Sequence, residues 1–382
     1  MRVKGMKTKK LTTPVLRVGD TARAPDLRYW TGLSIPDPIV MVRRAADGHV
    51  VVPEMERNRV EAAVGGSLRV WTPEELGVRK GGRRDRTEWC RRLLRRLDIG
   101  RVVTTPDTAA GIVRALVRAG FRVDLSERAA ACERACKTEA ELRGLRESQR
   151  AAADAMRRAA FIIADSAIDR SGRLVHEKRM LTPARLRRAI RTVLLDHDCL
   201  APEVIAAGGA ESADPHHPGE AEYRAGTPIV VDIFPRHAGH GYCGDLTRTF
   251  CRGPAPRALR DMVRAVRAAQ REALSMVCPG VRGDEVHRRV CALFRERGYV
   301  TDVRSRPPSG FIHGTGHGVG LEIHEAPRIA PGGGVLEEGH VVTIEPGLYY
   351  PGTGGVRIED TVEITRDGNR LLAPCSRRWE FR

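Results

Sequence analysis

Four apolar, strand-like segments in the second half of this chain each carry an acidic residue. The segments are PIVVDIF, YCGDLTRTF, HVVTIEPGLYY and GVRIEDTVEIT, and the acidic residues are Asp232, Asp245, Glu345 and Glu359. A carboxylate in a buried strand raises the free energy of the folded state unless it is paired or bound to a metal ion. The fold must therefore pair these carboxylates with protein groups or bind them to metal ions, and this requirement limits the possible folds more than any other feature.

The spacing within these segments predicts where the acidic side chains point. Asp232 and Asp245 lie 13 positions apart, and the intervening RHAGHG predicts a hairpin turn. The two carboxylates can then face each other across antiparallel strands. In GVRIED, the alternation of a strand places Arg357, Glu359 and Thr361 on one face.

Three histidines, His313, His317 and His324, lie in the glycine-rich segment HGTGHGVGLEIHE. Each acidic residue or histidine taken alone has an ordinary structural explanation, such as a helix cap, an ion pair or a hydrogen-bonded place in the core. Four carboxylates buried together with a histidine would repel one another without cations. Four carboxylates and one imidazole suit two hard or borderline divalent ions that share bridging oxygens.

The rest of the chain indicates two domains, as its length of 382 residues suggests. In the first third, strand-like runs such as PIVMVRR, RVVTT and FRVDL alternate with a helical pattern over residues 109–120, which favours an α/β domain. Thr138 and Glu141 form a capping-box pattern that predicts the start of a long helix. We therefore expect domains at residues 1–137 and 138–382, the second an α+β domain with helices covering a curved, largely antiparallel sheet.

The motifs VVDIF…GYCGDLTRTF, HGTGHGVGLEIHEAP and TIEPGLYYPGTGGVRIEDTVEIT, in this order, resemble those of the pita-bread metallopeptidases. This family includes proline aminopeptidase, prolidase, methionine aminopeptidase and creatinase, and the resemblance covers about residues 138–374. The segment DLRYWTGLSIPDPIVMV resembles the N-terminal domain that precedes the catalytic one in the proline peptidases and creatinase. The resemblance implies a creatinase-type α/β domain at residues 1–137, without catalytic ligands, that contributes to the mouth of the active site or to a dimer contact.

The resemblance also implies roles for particular residues. The implied metal ligands are Asp232, Asp245, His317, Glu345 and Glu359. His324 and His313 match substrate-contacting histidines, and Arg357 matches an arginine beside the last ligand. His216, with His217 as its alternative, fits an upstream catalytic histidine, one residue closer to Asp232 than the family pattern. The hairpin between the two aspartates is two residues longer than that pattern, an even insertion that preserves which face each strand shows.

The implied activity is hydrolysis of peptide bonds next to proline in short peptides, as an Xaa-Pro aminopeptidase or Xaa-Pro dipeptidase. A water bridging two divalent ions would attack the peptide bond, with Glu345 taking its proton. Manganese is the foremost candidate ion, with cobalt, iron and zinc as alternatives, and a homodimer is expected. Creatine hydrolysis or a non-proline substrate is one rival, but creatinase works without metals and lacks the full ligand set. A catalytically retired protein that binds nucleic acid through its basic surface is the other, although retired members typically lose ligands.

Composition adds limits on partners and location. The net charge is +17, but the arginines are spread over most helices and aromatic residues are only 4%, so we expect solvated helix faces rather than a nucleic-acid site. No apolar run approaches the ~18 residues of a membrane span. Nine scattered cysteines without a C-x-x-C pair favour a reducing cytoplasm. The basic start MRVKGMKTKK lacks a following apolar segment, which predicts a frayed tail and no secretion signal.

Overall fold

The computed structural model describes residues 13–45, 47–82, 84–126 and 131–382. The chain divides into two compact units, Met1–Arg134 and Ala135–Arg382. The predicted frayed tail at residues 1–10 lies outside the described residues. Within the described ranges, no helix combines the length and the apolar character that a membrane crossing requires.

The first unit contains a mixed sheet between two layers of helices. Its strands are β1 (Val15–Gly19), β2 (Ile39–Arg44), β3 (Asp47–Val51), β4 (Arg69–Trp71), β5 (Arg101–Thr104) and β6 (Arg122–Leu125). Its helices are α1 (Pro25–Thr31), α2 (Arg57–Val64), α3 (Arg86–Arg96) and α4 (Ala110–Arg118), and α5 (Ala131–Ala135) follows at the boundary. The strand order is β4-β3-β2-β1-β5-β6, with β2 antiparallel to both neighbours and the other pairs parallel.

Alternation along β2 explains the two layers of helices. Ile39 and Met41 pack with α1 and α2, whereas Val40 and Val42 pack with α3 and α4. Successive side chains of a strand point to opposite faces, so an uninterrupted apolar run is buried on both sides. The α/β architecture predicted for the first part of the chain is thereby confirmed.

The second unit has four long helices among its described residues: α6 (Glu139–Asp165), α7 (Pro183–Asp196), α8 (Arg257–Met276) and α9 (Gly283–Glu296). The predicted capping box is present, since the Thr138 side chain accepts a hydrogen bond from the Glu141 amide and the Glu141 carboxylate accepts one from the Thr138 amide. Thr182 caps α7, which has a proline in its first turn. A short 3₁₀ turn lies at Gly209–Ala213 in this unit, and two others lie in the first unit, at Glu54–Glu56 and Lys80–Gly82.

The strands of the second unit form two principal sheets and three small ones. They are β7 (Ala167–Ile168), β8 (Leu174–His176), β9 (Arg179–Met180), β10 (Cys199–Leu200), β11 (Ile205–Gly208), β12 (Ile229–Ile233), β13 (Arg236–His237), β14 (Leu246–Arg252), β15 (Gly316–Gly318), β16 (Glu325–Ile329), β17 (Val341–Ile344), β18 (Gly347–Tyr350), β19 (Gly354–Arg357), β20 (Asp360–Thr365), β21 (Gly368–Leu371) and β22 (Glu380–Phe381). The principal sheets are β11-β12-β14-β22 and β16-β15-β17-β20-β21, antiparallel except at β14-β22. The small sheets are β7-β8-β9, β10-β13 and β18-β19.

Helices cover one face of each principal sheet, as predicted for the second domain. Ile229, Val231 and Ile233 of β12 pack against α6 and α7, and Val342 and Val362 of the second sheet pack against α8 and α9. The alternate positions of these strands therefore point away from the helices. The acidic residues of the predicted site belong to that other side.

Candidate metal centre

The first pair of acidic residues lies on the β12–β14 hairpin. Asp232 pairs with Thr247 across the ladder, and Asp245 precedes Thr247 by two positions, just outside β14. The two aspartates are thus diagonal neighbours on one face of the hairpin instead of directly opposite partners. The even-numbered lengthening of the turn leaves both side chains on the same side.

Glu345 and Glu359 occupy matching breaks between two ladders. The β17–β20 ladder ends at Ile344 and Asp360, and the β18–β19 ladder begins again at Gly347 and Arg357. The Glu345 amide donates to the carbonyl of Thr315 at 2.8 Å, and the Glu359 amide donates to the carbonyl of Thr247 at 3.1 Å. Each glutamate is therefore anchored through its main chain to a neighbouring segment.

His317 lies on β15, and its ring is oriented to offer Nε2. A Cβ at the preceding Gly316 would lie 1.9 Å from the carbonyl oxygen of Thr343, so only glycine permits this close approach of β15 to β17. His317 Nδ1 is 3.1 Å from the carbonyl oxygen of Gly318, which can only accept, so Nδ1 carries a proton. Nε2 then has the free lone pair in the neutral ring, and it lies 3.3 Å from Glu345 Oε1 and 3.6 Å from Asp245 Oδ2.

The resulting cluster fits divalent cations. Ligand atoms of Asp245, His317 and Glu359 all lie within 4.8 Å of one another. Asp232 Oδ1 is buried and has no hydrogen-bond partner in the described part of the chain, while Oδ2 accepts from Arg357 at 2.7 Å. Burial and the charges of neighbouring carboxylates raise the pKa of both Asp245 and Glu359. A bound cation would give the Asp232 oxygen a partner, and it would offset the repulsion between the neighbouring carboxylates.

Glu345 and His317 form an ion pair within this cluster. Burial opposes both charges, but their mutual hydrogen bond lowers the pKa of Glu345 to about 2 and raises the pKa of His317. A proton on His317 Nε2 and a metal ion are therefore alternative partners for this carboxylate.

His324 and His313 make different contacts near the cluster. The His324 ring is exposed and lies edge-on to the His317 ring, with centroids 4.3 Å apart. Partial burial and the neighbouring His317 lower the pKa of His324. His313 Nδ1 donates to the carbonyl of Gly314 at 2.7 Å, so Nε2 accepts from the Tyr349 hydroxyl at 2.9 Å.

The sequence patterns did not predict two side chains of this network, Tyr349 and Thr247. Tyr349 is buried and accepts a 2.7 Å hydrogen bond from Arg357, which links Arg357 to His313. Thr247 donates to Glu359 Oε2 at 2.7 Å. The position of Thr247, on the face shared by Asp232 and Asp245, could have pointed to it. Tyr349 carries no local signal that separates it from the adjacent Tyr350.

His216 and His217 lie after the Gly209–Ala213 turn, and their environments differ. His217 Nδ1 accepts from the Gly219 amide at 3.1 Å, which ties its ring into its own loop. His216 is exposed. The pKa of His313 and that of His324 are lowered mainly by burial, and His216 is one of the smaller contributions. His216 stays the predicted upstream histidine, with His217 as its alternative.

The chain is similar in sequence to known metallopeptidases and dipeptidases. The model of metallopeptidase family M24 matches residues 143–366, more than half of the chain. An Xaa-Pro dipeptidase of Pyrococcus furiosus is 39% identical over 177 residues, which are 46% of this chain and 48% of that protein. A probable dipeptidase PepE of Mycobacterium bovis is 38% identical over 174 residues, or 45% of this chain and 44% of that protein. The aligned part of this chain spans about half the length of the relatives that it matches in sequence.

Solved structures resemble nearly the whole chain. An Xaa-Pro dipeptidase from Bacillus anthracis superposes with a TM-score of 0.80 and 23% identity, over 97% of this chain and 95% of that one. Prolidase from Pyrococcus furiosus gives a TM-score of 0.77 and 25% identity, over 96% of this chain and 97% of that one. The two-domain architecture with a pita-bread fold is thereby confirmed. With its family match, its fold and its cluster of carboxylates around His317, the chain belongs to metallopeptidase family M24.

Proposed function

We propose that this protein is a metal-dependent peptidase that hydrolyses peptide bonds next to proline in short peptides. The observation that carries the proposal is the convergence of carboxylates around His317, with Asp232 Oδ1 buried and without a hydrogen-bond partner in the described ranges. The names of the relatives, Xaa-Pro dipeptidase and prolidase, support the choice of proline-containing substrates.

Two divalent ions would be held by five side chains of the second unit: Asp232, Asp245, His317, Glu345 and Glu359. When bound, such ions polarise a carbonyl group and lower the pKa of water, which supplies a nucleophile at neutral pH. Carboxylate oxygens dominate this donor set, which favours manganese over softer-ligand metals.

The remaining chemistry falls to the chain's own groups. The Glu345 carboxylate lies 3.3 Å from His317 within the cluster, and it can accept a proton from the attacking water and pass it to the leaving amine. His324 is neutral there, because its pKa is lowered, and its ring N–H can donate to the substrate carbonyl oxygen as negative charge develops. Arg357 orients Asp232 through their 2.7 Å hydrogen bond, and through Tyr349 it fixes the tautomer of His313.

The first unit, Met1–Arg134, would be the creatinase-type domain, and it contributes none of the five proposed ligands. A homodimer and a cytoplasmic location belong to the same proposal. Free thiols support a reducing compartment, since the cysteines whose side chains are described are all unpaired.

Hydrolysis of matched small peptides tests the substrate assignment. With manganese present, the protein should cleave Gly-Pro much faster than Gly-Ala, a dipeptide of the same length without the proline ring. Cleavage of Gly-Pro-Gly would mark an aminopeptidase, and its absence a dipeptidase. Equal or faster cleavage of Gly-Ala would contradict the proline preference while leaving a metallopeptidase activity in place.

A further inference from the structure

Helix α6 lies directly against the segment that leads into β14. A Cβ at Gly244 would lie 2.6 Å from the carbonyl oxygen of Ser148 on the helix, so glycine is needed for this approach. The Ser148 hydroxyl donates to the carbonyl of Tyr242 at 2.8 Å. The helix therefore contacts the main chain of residues 242–245, immediately at Asp245.

Gln149, the next residue of α6, binds both polar groups of the Asp245 main chain. The Asp245 amide donates to Gln149 Oε1 at 2.8 Å, and Gln149 Nε2 donates to the carbonyl of Asp245, also at 2.8 Å. The Gln149 side chain is buried, with 1% of the residue exposed. Asp245 lies outside β14, so the strand ladder does not fix its main chain, and these side-chain bonds take over that task. The Thr361 hydroxyl donates a second hydrogen bond to the same carbonyl, also at 2.8 Å.

The position of the Asp245 carboxylate depends on these hydrogen bonds to its main chain. It is buried beside Glu359, and two like charges in a low-dielectric site push each other apart. A ligand that retreats between binding events loses affinity, because each ion must then reorganise the site before it binds. Groups that hold metal ligands in place typically change metal affinity by 10- to 100-fold when they are removed.

We infer that Gln149 is a positioning residue for the metal centre, fixing the main chain of Asp245 so that its carboxylate stays beside His317 and Glu359. The inference rests on the proposed metal site. It assigns a role to an uncharged residue 96 positions away in the sequence, on the helix that begins the second unit.

The Gln149→Met variant keeps the length of the side chain and removes both bonds. Titration of the chelated full-length protein with manganese, followed by calorimetry, should show one of the two ions bound about 10- to 100-fold more weakly. At saturating manganese the variant should regain most of its turnover, because the ligands themselves are intact.

Asn369→Leu is the matched control. Asn369 also uses its amide for two main-chain bonds, at 2.7 and 2.9 Å to the carbonyls of Leu274 and Val277, at the end of α8. This variant should lower the melting temperature and leave both manganese affinities unchanged. If Gln149→Met does not fold, Gln149→Asn, which withdraws the amide by one methylene, should show the same selective loss.

Manganese affinities equal to those of the wild type in a folded Gln149 variant would overturn the inference. An equal loss of affinity in Asn369→Leu would also overturn it, because the effect would then be general destabilisation. Failure of the wild-type protein to bind any ion would instead refute the proposed metal site itself.

Discussion

Asp245 and Asp360 are buried aspartates of the same unit with opposite surroundings. Asp360 accepts hydrogen bonds from Arg248 and Arg377, both at 2.6 Å, so its charge is paired within the protein. Asp245 is surrounded by other carboxylates, and burial together with Glu359 raises its pKa. Asp360 has the environment of a structural ion pair, and Asp245 has that of a candidate metal ligand.

Replacing each of these aspartates by asparagine separates the two roles. Asp245→Asn removes a repelled charge, so the chelated variant should be at least as stable as the chelated wild type and should gain little melting temperature from manganese. Asp360→Asn leaves the buried Arg248 without its carboxylate partner, which should cost about 3–5 kcal/mol with or without manganese. Thermal unfolding with and without the ion measures both effects. An equally large loss in chelated Asp245→Asn would make Asp245 a structural residue.

His324 is predicted to act in turnover rather than in metal binding. Its ring contacts the His317 ring edge-on, and the residue is exposed, so that a substrate carbonyl can reach it. His324→Ala should keep two ions and a near-normal melting temperature but lose ~10²–10³-fold in kcat. His197, a histidine paired with Asp154 at 3.0 Å, provides the control, because His197→Ala should leave kcat unchanged. Loss of an ion from His324→Ala would make His324 a ligand, and unchanged turnover would leave it a structural role.

At the scale of elements, β17 delivers Glu345, and the turn before it contains a buried histidine. His340 Nδ1 accepts from the Glu337 amide at 3.0 Å, and the residue is 6% exposed. Burial and the nearby Lys137 lower the pKa of His340 to about 4. The ring is therefore neutral in the folded protein where it would already be protonated in the unfolded chain.

The folded-state pKa of His340 lies below its unfolded value, so its contribution to stability is complete above about pH 6.5. That contribution decreases as the pH falls and is lost once the pH passes about 4. The wild type should lose about 3 kcal/mol of unfolding free energy over this interval relative to His340→Gln, which cannot titrate. Urea unfolding between pH 7 and pH 4 measures the difference. Parallel pH curves for the two proteins would show that His340 is not held neutral.

Local patterns predicted the elements well where short-range physics decides them. The caps of α6 and α7 follow from Thr138 and Thr182. Alternation placed Arg357, Glu359 and Thr361 on one face, and all three reach the β12–β14 hairpin, although the ladder breaks between Arg357 and Asp360. The roles of Tyr349 and Gln149 were not predictable in this way, because they depend on contacts with residues distant in sequence.

The lengthened hairpin between Asp232 and Asp245 is a second case in which the sequence pattern did not predict the contacts. His237 and His240 stack with ring centroids 3.9 Å apart. Their Nδ1 atoms accept from the amides of Gly239 and Tyr242, so both rings stabilise the turn. The sequence showed that two extra residues preserve the strand faces, but only the packing of the turn against α6 reveals what the added histidines contact.

For the whole molecule, the charge is distributed unevenly between the two units. Residues 1–134 contain 28 basic and 16 acidic residues, a net +12, and residues 135–382 contain 37 and 32, a net +5. The basic excess thus lies mainly in the unit without proposed ligands. Hydrolysis at the metal centre and any binding of nucleic acid can therefore be measured separately. Only the binding of nucleic acid should weaken steeply as the salt concentration rises.

The central claim is that five side chains hold two divalent ions on which hydrolysis depends. Calorimetric titration of the chelated full-length protein with manganese, run in parallel with hydrolysis of Gly-Pro, tests it most directly. The predicted result is two ions per chain, no hydrolysis by the chelated protein and recovery of hydrolysis as the ions bind. Full hydrolysis by the chelated protein, or two ions still tightly bound by Asp245→Ala, would contradict it.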